Sequence, residues 1–381
     1  MQPIYLDHAA TSPCDPLVVE AMRPYYFDRF GNASSPHSFG RRSRKAVEET
    51  REGLASFINA DPTEIIFTSG ATESNNHAIF GVARALNGKG RHCVISAIEH
   101  HSILGPARRL EADGYEISYA MPDAQGTITP HAIEAALRLD TVLVAVGHAN
   151  NEIGTIQPIA AIGQLTRARG IYFCVDAAQT VGHVPVDVSA LNCDLLSLCA
   201  HKFYGPQGVG ALYARKGVLC EPFLLGGDQE RGRRATTQNV PGIVGLGRAI
   251  ALCPPRMEQD TRAQTVLRDA VIAVVLKNIP SAVLNGPREL RLPNNAHFSF
   301  EGINGEDLVA ALDLSGIACS VGSACTSGQL EPSHVLKAIG LSDPMALGSL
   351  RVSVGRGTTR EHIDYFIEQL SRAVSRQRMV D

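Results

Sequence analysis

Between residues 64 and 214 one unit recurs: a short apolar run rich in β-branched residues, then an amphipathic stretch. The runs are EIIFTSG, HCVISAIEH, EISYAMP, TVLVAVGHAN, IYFCVDAAQ, LLSLCAHK and VGALYAR, with stretches such as 74–86, 130–139 and 159–169 between them. Strands that are apolar along their whole length need cover on both faces, and intervening helices supply both the cover and the crossover. The pattern predicts an α/β fold around a mainly parallel seven-stranded sheet covered by helices. The last two runs are joined by a short Gly/Pro loop with no room for a crossover helix, which predicts an antiparallel strand at the sheet edge. A long charged helix is expected over 38–58, ahead of the sheet. Around LCPPRMEQD, 252–260, the pattern changes to a helix over 261–279, strands in NNAHFSFEG and SLRVSVGR, and a final helix over 360–378. The expected division is a large domain over 16–255 and a smaller α+β domain formed by 1–15 and 256–381.

In open α/β sheets, ligands bind beyond the carboxyl ends of the strands, so the residues just after each run are informative. The first run leads into TSGATESNN, small residues opening a helix whose free N–H groups can hold a phosphate. The second leads into EHHS, the fourth into NNE, the fifth into Asp176 and Gln179, and the sixth into His201 and Lys202. Taken singly, each has a plain structural reading: SGATES as a helix cap, His100 as a structural histidine, Asp176 as another cap, Lys202 as a snorkelling lysine. Taken together, they describe a ligand with a phosphate, an aromatic ring, a ring atom that wants a carboxylate, and a carbon that accepts an amine. Pyridoxal phosphate meets that description. Lys202 would be the amine, kept partly desolvated so that it can act as a nucleophile. Asp176 would keep the pyridine nitrogen protonated, His100 would stack on the ring, and the Ala71–Thr72 turn would hold the phosphate.

Charge and cysteine content narrow the functional classes. With 35 Lys and Arg against 38 Asp and Glu, the net charge of −3 gives no electrostatic case for nucleic acid or an anionic membrane. The opening MQPIYLDHAATSP has no basic segment followed by an apolar one, and no run approaches the roughly 20 apolar residues of a membrane helix, so a cytoplasmic location is expected. The nine cysteines form no CxxC pair, and no intrinsic metal site is expected. Cys93, Cys174, Cys193 and Cys199 sit in apolar runs and read as small core residues. Cys325 differs: it lies in SVGSACTSGQLEP, a stretch that reads as an exposed flexible loop.

The motifs YLDHAAT, GNASSPHSFG, IIFTSGATESNN, EHHSIL, ANNEIGTIQPI, DAAQTVGHVPVDV, AHKFYGPQGVGALY, GGDQERGRRATTQN, GSACTSGQLEPSHVL and LRVSVGRGTT run from residue 4 to about 370. In this order they resemble the NifS/IscS-type cysteine desulfurases. The resemblance implies a fold-type I pyridoxal-phosphate enzyme of the class V aminotransferase group, working as a homodimer. It implies Lys202 as the Schiff-base lysine and Asp176 as the pyridinium partner. His100 corresponds to the stacking histidine, and Asn151 and Gln179 to contacts around the cofactor's phenolic oxygen. Ala71, Thr72, Cys199 and His201 fall on phosphate-side contacts, and Thr237 on a residue reaching the phosphate from the other subunit. Arg351, with Asn32 beside it, corresponds to the clamp on the substrate carboxylate, and Cys325 to the sulfur-accepting nucleophile.

The implied reaction converts L-cysteine to L-alanine and leaves the sulfur as a Cys325 persulfide, for transfer to an iron–sulfur scaffold or other acceptor protein. A selenocysteine lyase or an ordinary class V aminotransferase shares most of these residues, and transamination dispenses with Cys325. A non-catalytic scaffold that binds the cofactor is a third reading, against which the full Lys/Asp/His/Arg/Cys set stands. Four positions depart from the family pattern: Thr236 replaces a usual Gly, Cys199 a common Ser, Val321 a usual Ser and Gln207 a frequent Lys.

Overall fold

The computed structural model describes residues 3–322 and 331–379. In chain order its strands are β1 (Ile4–Tyr5), β2 (Ile65–Thr68), β3 (His92–Ser96), β4 (Glu116–Ala120), β5 (Thr141–Gly147), β6 (Tyr172–Asp176), β7 (Leu195–Cys199), β8 (Gly210–Ala214), β9 (Ala282–Leu284), β10 (Asn295–Phe300), β11 (Ile317–Ala318) and β12 (Ser349–Ser353). The helices are α1 (Pro16–Met22), α2 (Pro24–Phe27), α3 (Ser38–Phe57), α4 (Ala71–Ala85), α5 (His101–Ala112), α6 (Pro130–Ala136), α7 (Ile159–Ala168), α8 (Val240–Asn278), α9 (Gly305–Leu314), α10 (His334–Ala338), α11 (Asp343–Leu347) and α12 (Arg360–Gln377).

Seven strands form the central sheet in the order β2-β8-β7-β6-β5-β3-β4. Alternate residues of a strand feed different cores, because successive side chains point to opposite faces. Ile65 and Phe67 of β2 join one core with Val47 and Leu54 of α3, Ile162 of α7 and Leu246 of α8. Ile66, between them, joins the other, with Ile79 and Val82 of α4 and Ile103 and Leu110 of α5. This two-sided burial is why the strands read as continuous apolar runs rather than as an alternation.

β8 runs antiparallel to both β7 and β2, as its short connection requires. It is not the edge strand that the sequence suggested. β2 lies outside it, and the edge expectation is corrected to a place one strand inward. Nothing in the loop preceding β8 says which strand pairs on its far side; that pairing is made by a strand more than a hundred residues upstream.

A third core gathers Ile4 and Leu6, the C-terminal half of α8, β10, β12, α9 and α12. Its sheets are β12-β10-β9, antiparallel, and the parallel pair β1-β11. The helix expected over 261–279 begins instead at Val240: α8 runs 39 residues through Pro254 and Pro255. A proline inside a helix lacks the N–H for its i−4 bond and crowds that carbonyl, so the pair reads as a stop. Here Leu246, Ile250 and Cys253 before the prolines and Val271 and Val275 after them are buried in two different cores, and that burial carries the helix through.

Candidate active site

At the carboxyl edge of the parallel strands lies a cavity of about 610 Å³. Ala71, Thr72, His100, Asn151, Asp176, Gln179, Cys199, His201 and Lys202 all line it, so separate chain segments deliver the residues read from strand ends to one place.

The β2–α4 turn forms one side. Gly210 of β8 is required beside it, because a Cβ there would overlap the Leu198 carbonyl oxygen and lie 2.7 Å from the Gly70 Cα. Gly70 caps α4 with no side-chain hydrogen bond, so the helix opens on small residues. The first N–H groups of a helix have no acceptor within it and carry the positive end of its dipole. Glu73, in the first turn, accepts hydrogen bonds from Ser69 N (2.8 Å) and Ser69 Oγ (2.6 Å).

Asp176 ends β6. Its Oδ2 accepts a hydrogen bond from Asn75 Nδ2 (2.7 Å), and its Oδ1 caps the following turn through Ala178 N (2.9 Å). Asn75 Nδ2 also reaches Ser102 Oγ (2.9 Å), which meets His100 Nδ1 at 2.9 Å. His100 caps α5 as well, accepting from Ser102 N. The structural readings of His100 and Asp176 as caps hold, and the caps fix both groups at the cavity. Burial lowers the His100 pKa, against the pull of the Asp176 charge, and favours the neutral ring.

Lys202 lies just beyond β7. Its ammonium donates to the carbonyl oxygens of Ala9 and Ala10, the latter at 2.7 Å. Burial pulls the Lys202 pKa below its ordinary value, and the nearby Arg351 charge pulls the same way. Gln179 Nε2 donates to Ala9 O (3.0 Å) and His201 Nδ1 lies 3.2 Å from Thr11 Oγ1, so residues 9–11 wall the cavity. Burial, then the Lys202 charge, brings His201 down to about 4. Burial pushes the Cys199 thiol up to about 12, which makes it an inert wall residue.

Three predicted residues stand apart from this lining. Arg351 is buried to 2% exposure behind it, bound to Asp7 Oδ1 (2.8 Å) and to the carbonyls of Asn151 (3.0 Å) and Gly322 (2.9 Å). Asn32 closes its own turn by accepting from Ser34 N (2.9 Å). Thr237 is exposed, next to Thr236, whose φ is +96°. Cys325 lies outside the described residues.

Sequence reasoning missed Asn75, Asp7 and Glu99. Asn75 was visible as the polar residue one helical turn into the cap motif, where a side chain points back over the turn's mouth. Asp7, in YLDHAAT, carried no sign of its partner 344 residues away. Glu99 accepts from Gly147 N (2.9 Å), and burial raises its carboxyl to about 8 with the Asp176 charge adding to the rise. An acid directly after an apolar strand was its only signal.

A flat, phosphate-bearing pyridoxal fits this set of groups. The helix N-terminus suits the phosphate, Asp176 a protonated ring nitrogen, and Lys202 an aldehyde carbon. The family described as Aminotransferase class-V matches residues 4–366, and the chain belongs to it. Its relatives narrow the class. Over 377 residues, 99% of this chain and 96% of the other, it is 50% identical to the cysteine desulfurase IscS of Dictyoglomus turgidum. A solved structure titled NifS-like protein superposes with a TM-score of 0.92 at 34% identity, covering 98% of this chain and 100% of that one. Another, titled SspA in complex with cysteine, gives 0.83 at 36% identity, with 93% and 100% covered. Within the class-V aminotransferases, the protein is a NifS/IscS-type cysteine desulfurase.

Proposed function

We propose that the cavity holds pyridoxal phosphate and that Cys325 takes sulfur from L-cysteine as a persulfide for delivery to an acceptor protein. The observation that carries this reading is Lys202, a desolvated amine with a lowered pKa, sharing a cavity with Asp176 and the α4 N-terminus. When bound, the cofactor supplies an electron sink for the α carbon of the substrate.

The chain's own groups do the rest. The first turn of α4 with Ala71 and Thr72, helped by His201 and the wall residue Cys199, holds the phosphate. Thr237 extends that hold across a homodimer. Asn151 and Gln179 orient the ring, His100 stacks on it, and Asp176 keeps a proton at its nitrogen. Arg351 and Asn32 bind the substrate carboxylate, Arg351 through the paired N–H groups that now meet Asp7 and two carbonyls. Lys202, whose pKa burial lowers, takes the proton from the α carbon.

The Cys325 thiolate then attacks the substrate sulfur. A sulfur–sulfur bond forms, the carbon–sulfur bond breaks with its electron pair left on carbon, and that carbon takes a proton. Enzyme thiol and L-cysteine thus become enzyme persulfide and L-alanine, with atoms and electrons balanced. The acceptor is an iron–sulfur scaffold or another sulfur-carrying protein, and the site of action is the cytoplasm. No described helix is long and apolar enough to cross a membrane.

Peptide mass spectrometry tests both halves of the reading. Borohydride is expected to fix the cofactor on the Lys202 peptide, and brief exposure to L-cysteine to add one sulfur to the Cys325 peptide. Cys325→Ser should abolish persulfide and alanine while the cofactor stays bound. Cofactor on another lysine, or near-normal alanine from Cys325→Ser, refutes it; the second result would favour a transaminase.

A further inference from the structure

Glu73 presents a problem for a phosphate-binding helix. It stands in the first turn of α4 and lines the cavity, so its negative charge occupies the positive helix end that a phosphate would use. It also cannot be dispensed with locally, because its carboxylate fixes Ser69, the residue that leads into the turn.

Arg234 meets it in a fork. Arg234 Nε donates to Glu73 Oε1 (2.7 Å) and Nη2 to Oε2 (2.9 Å). The side chains are only 13% and 10% exposed, a setting in which an uncompensated charge acts strongly on its neighbours. Burial pushes the Glu73 carboxyl up, but the Arg234 and Ser69 hydrogen bonds outweigh it and hold the group below its ordinary value, ionised.

The segment that carries Arg234 is itself held in place. Four residues earlier, Glu230 is buried at 5% exposure and accepts from Arg51 (2.8 and 2.9 Å), from Phe67 N (3.0 Å) and from Gln238. Glu230, Arg231 and Thr236 all have positive φ, at 49°, 61° and 96°. A non-glycine backbone in this region is retained only where its surroundings over-determine it, and such segments concentrate at functional sites. The strained turn presents Arg234 to α4 from outside the helix.

We propose that Arg234 is a positioning residue for the cofactor's phosphate: its bidentate pairing with Glu73 cancels the carboxylate at the mouth of α4, so that the helix end is free to take an anion. The inference rests on the proposed cofactor site. It assigns no contact between Arg234 and the cofactor; Arg234 acts through Glu73. It differs from a mere staple between the segment and α4 in one respect: it depends on charge.

The test uses the full-length protein freed of cofactor, titrated separately with inorganic phosphate and with pyridoxal phosphate, with binding read by calorimetry. Arg234→Gln should weaken both by roughly tenfold or more, the scale of one unpaired charge near a charged ligand. Glu73→Gln/Arg234→Gln, in which two amides replace the two charges, should return to within about threefold of the wild type. Glu73→Gln alone, which keeps an acceptor for Ser69, should bind phosphate no more weakly than the wild type, and it carries the test if Arg234→Gln fails to fold. Unchanged binding in Arg234→Gln, a double variant as weak as the single one, or weakened binding in Glu73→Gln each overturns the proposal. A wild type that binds no pyridoxal phosphate overturns the cofactor reading itself and removes the proposal's basis.

Discussion

Thr236 adopts φ +96° and is exposed, so replacing it isolates backbone strain from packing. A β-branched residue in this region costs about 1–3 kcal/mol. Thr236→Gly removes that cost, while the greater freedom of glycine in the unfolded chain takes back about 0.5–1 kcal/mol. The net expectation is a gain centred at about 1.3 kcal/mol, within about 0–2.5 kcal/mol. At about 2.1 cal/mol/K of unfolding entropy per residue, a 381-residue chain loses about 0.8 kcal/mol of stability per degree near its midpoint. The midpoint should therefore rise by about one to two degrees, measured by scanning calorimetry with cofactor bound. Thr236→Ala is the control: it keeps a Cβ at the same φ and should give no rise. An unchanged or lower midpoint for Thr236→Gly, or an equal rise for Thr236→Ala, would refute the reasoning from strain.

Buried acids give two further expected outcomes. Glu230→Gln leaves Arg51, 4% exposed, with only the more exposed Glu48 as a carboxylate partner, and should lower stability in urea by about 3 kcal/mol; a loss below about 1 kcal/mol would place the pair with exposed ones. Glu99, raised from 4.5 to about 8 by burial, holds its proton longer in the folded state than in the unfolded one. Its contribution to stability is complete below pH 4.5 and is lost as the pH climbs to about 8. Glu99→Gln does not titrate, so its urea midpoint should gain on the wild type between pH 5 and pH 8, and parallel profiles would exclude the assignment.

The sequence made the central sheet legible because burial on both faces leaves uninterrupted apolar runs, as in TVLVAVG and LLSLC. The strand ends were legible because chemistry-bearing residues there interrupt those runs abruptly: Asp176 after YFCV, Lys202 after LLSLCAH. Long-range partners were not. The pairing of β8 with β2, and of Arg351 with Asp7, depends on segments far apart in the chain that no local pattern connects. The continuity of α8 was masked by Pro254 and Pro255, whose local preference is overruled by side chains buried half a helix away. Thr236 replaces the family's usual glycine, and the backbone there keeps a positive φ although threonine tolerates one poorly.

The pairing of Ile4 with Ile317 has a consequence for the order in which the protein is built. β1 is made before the other described strands, yet its strand partner among the described residues, β11, is made more than three hundred residues later. The seven-stranded sheet and its two cores draw mainly on residues up to α8, so they can settle while residues 4–6 wait undocked. The segment that waits is the one leading into Ala9 and Ala10, the carbonyls that hold Lys202. The pairing of β1 with β11 closes a loop of more than three hundred residues, so it waits until Ala318 has been made. Residues 9–12, by contrast, meet Gln179, His201 and Lys202, so the wall around Lys202 needs no strand from the far end of the chain.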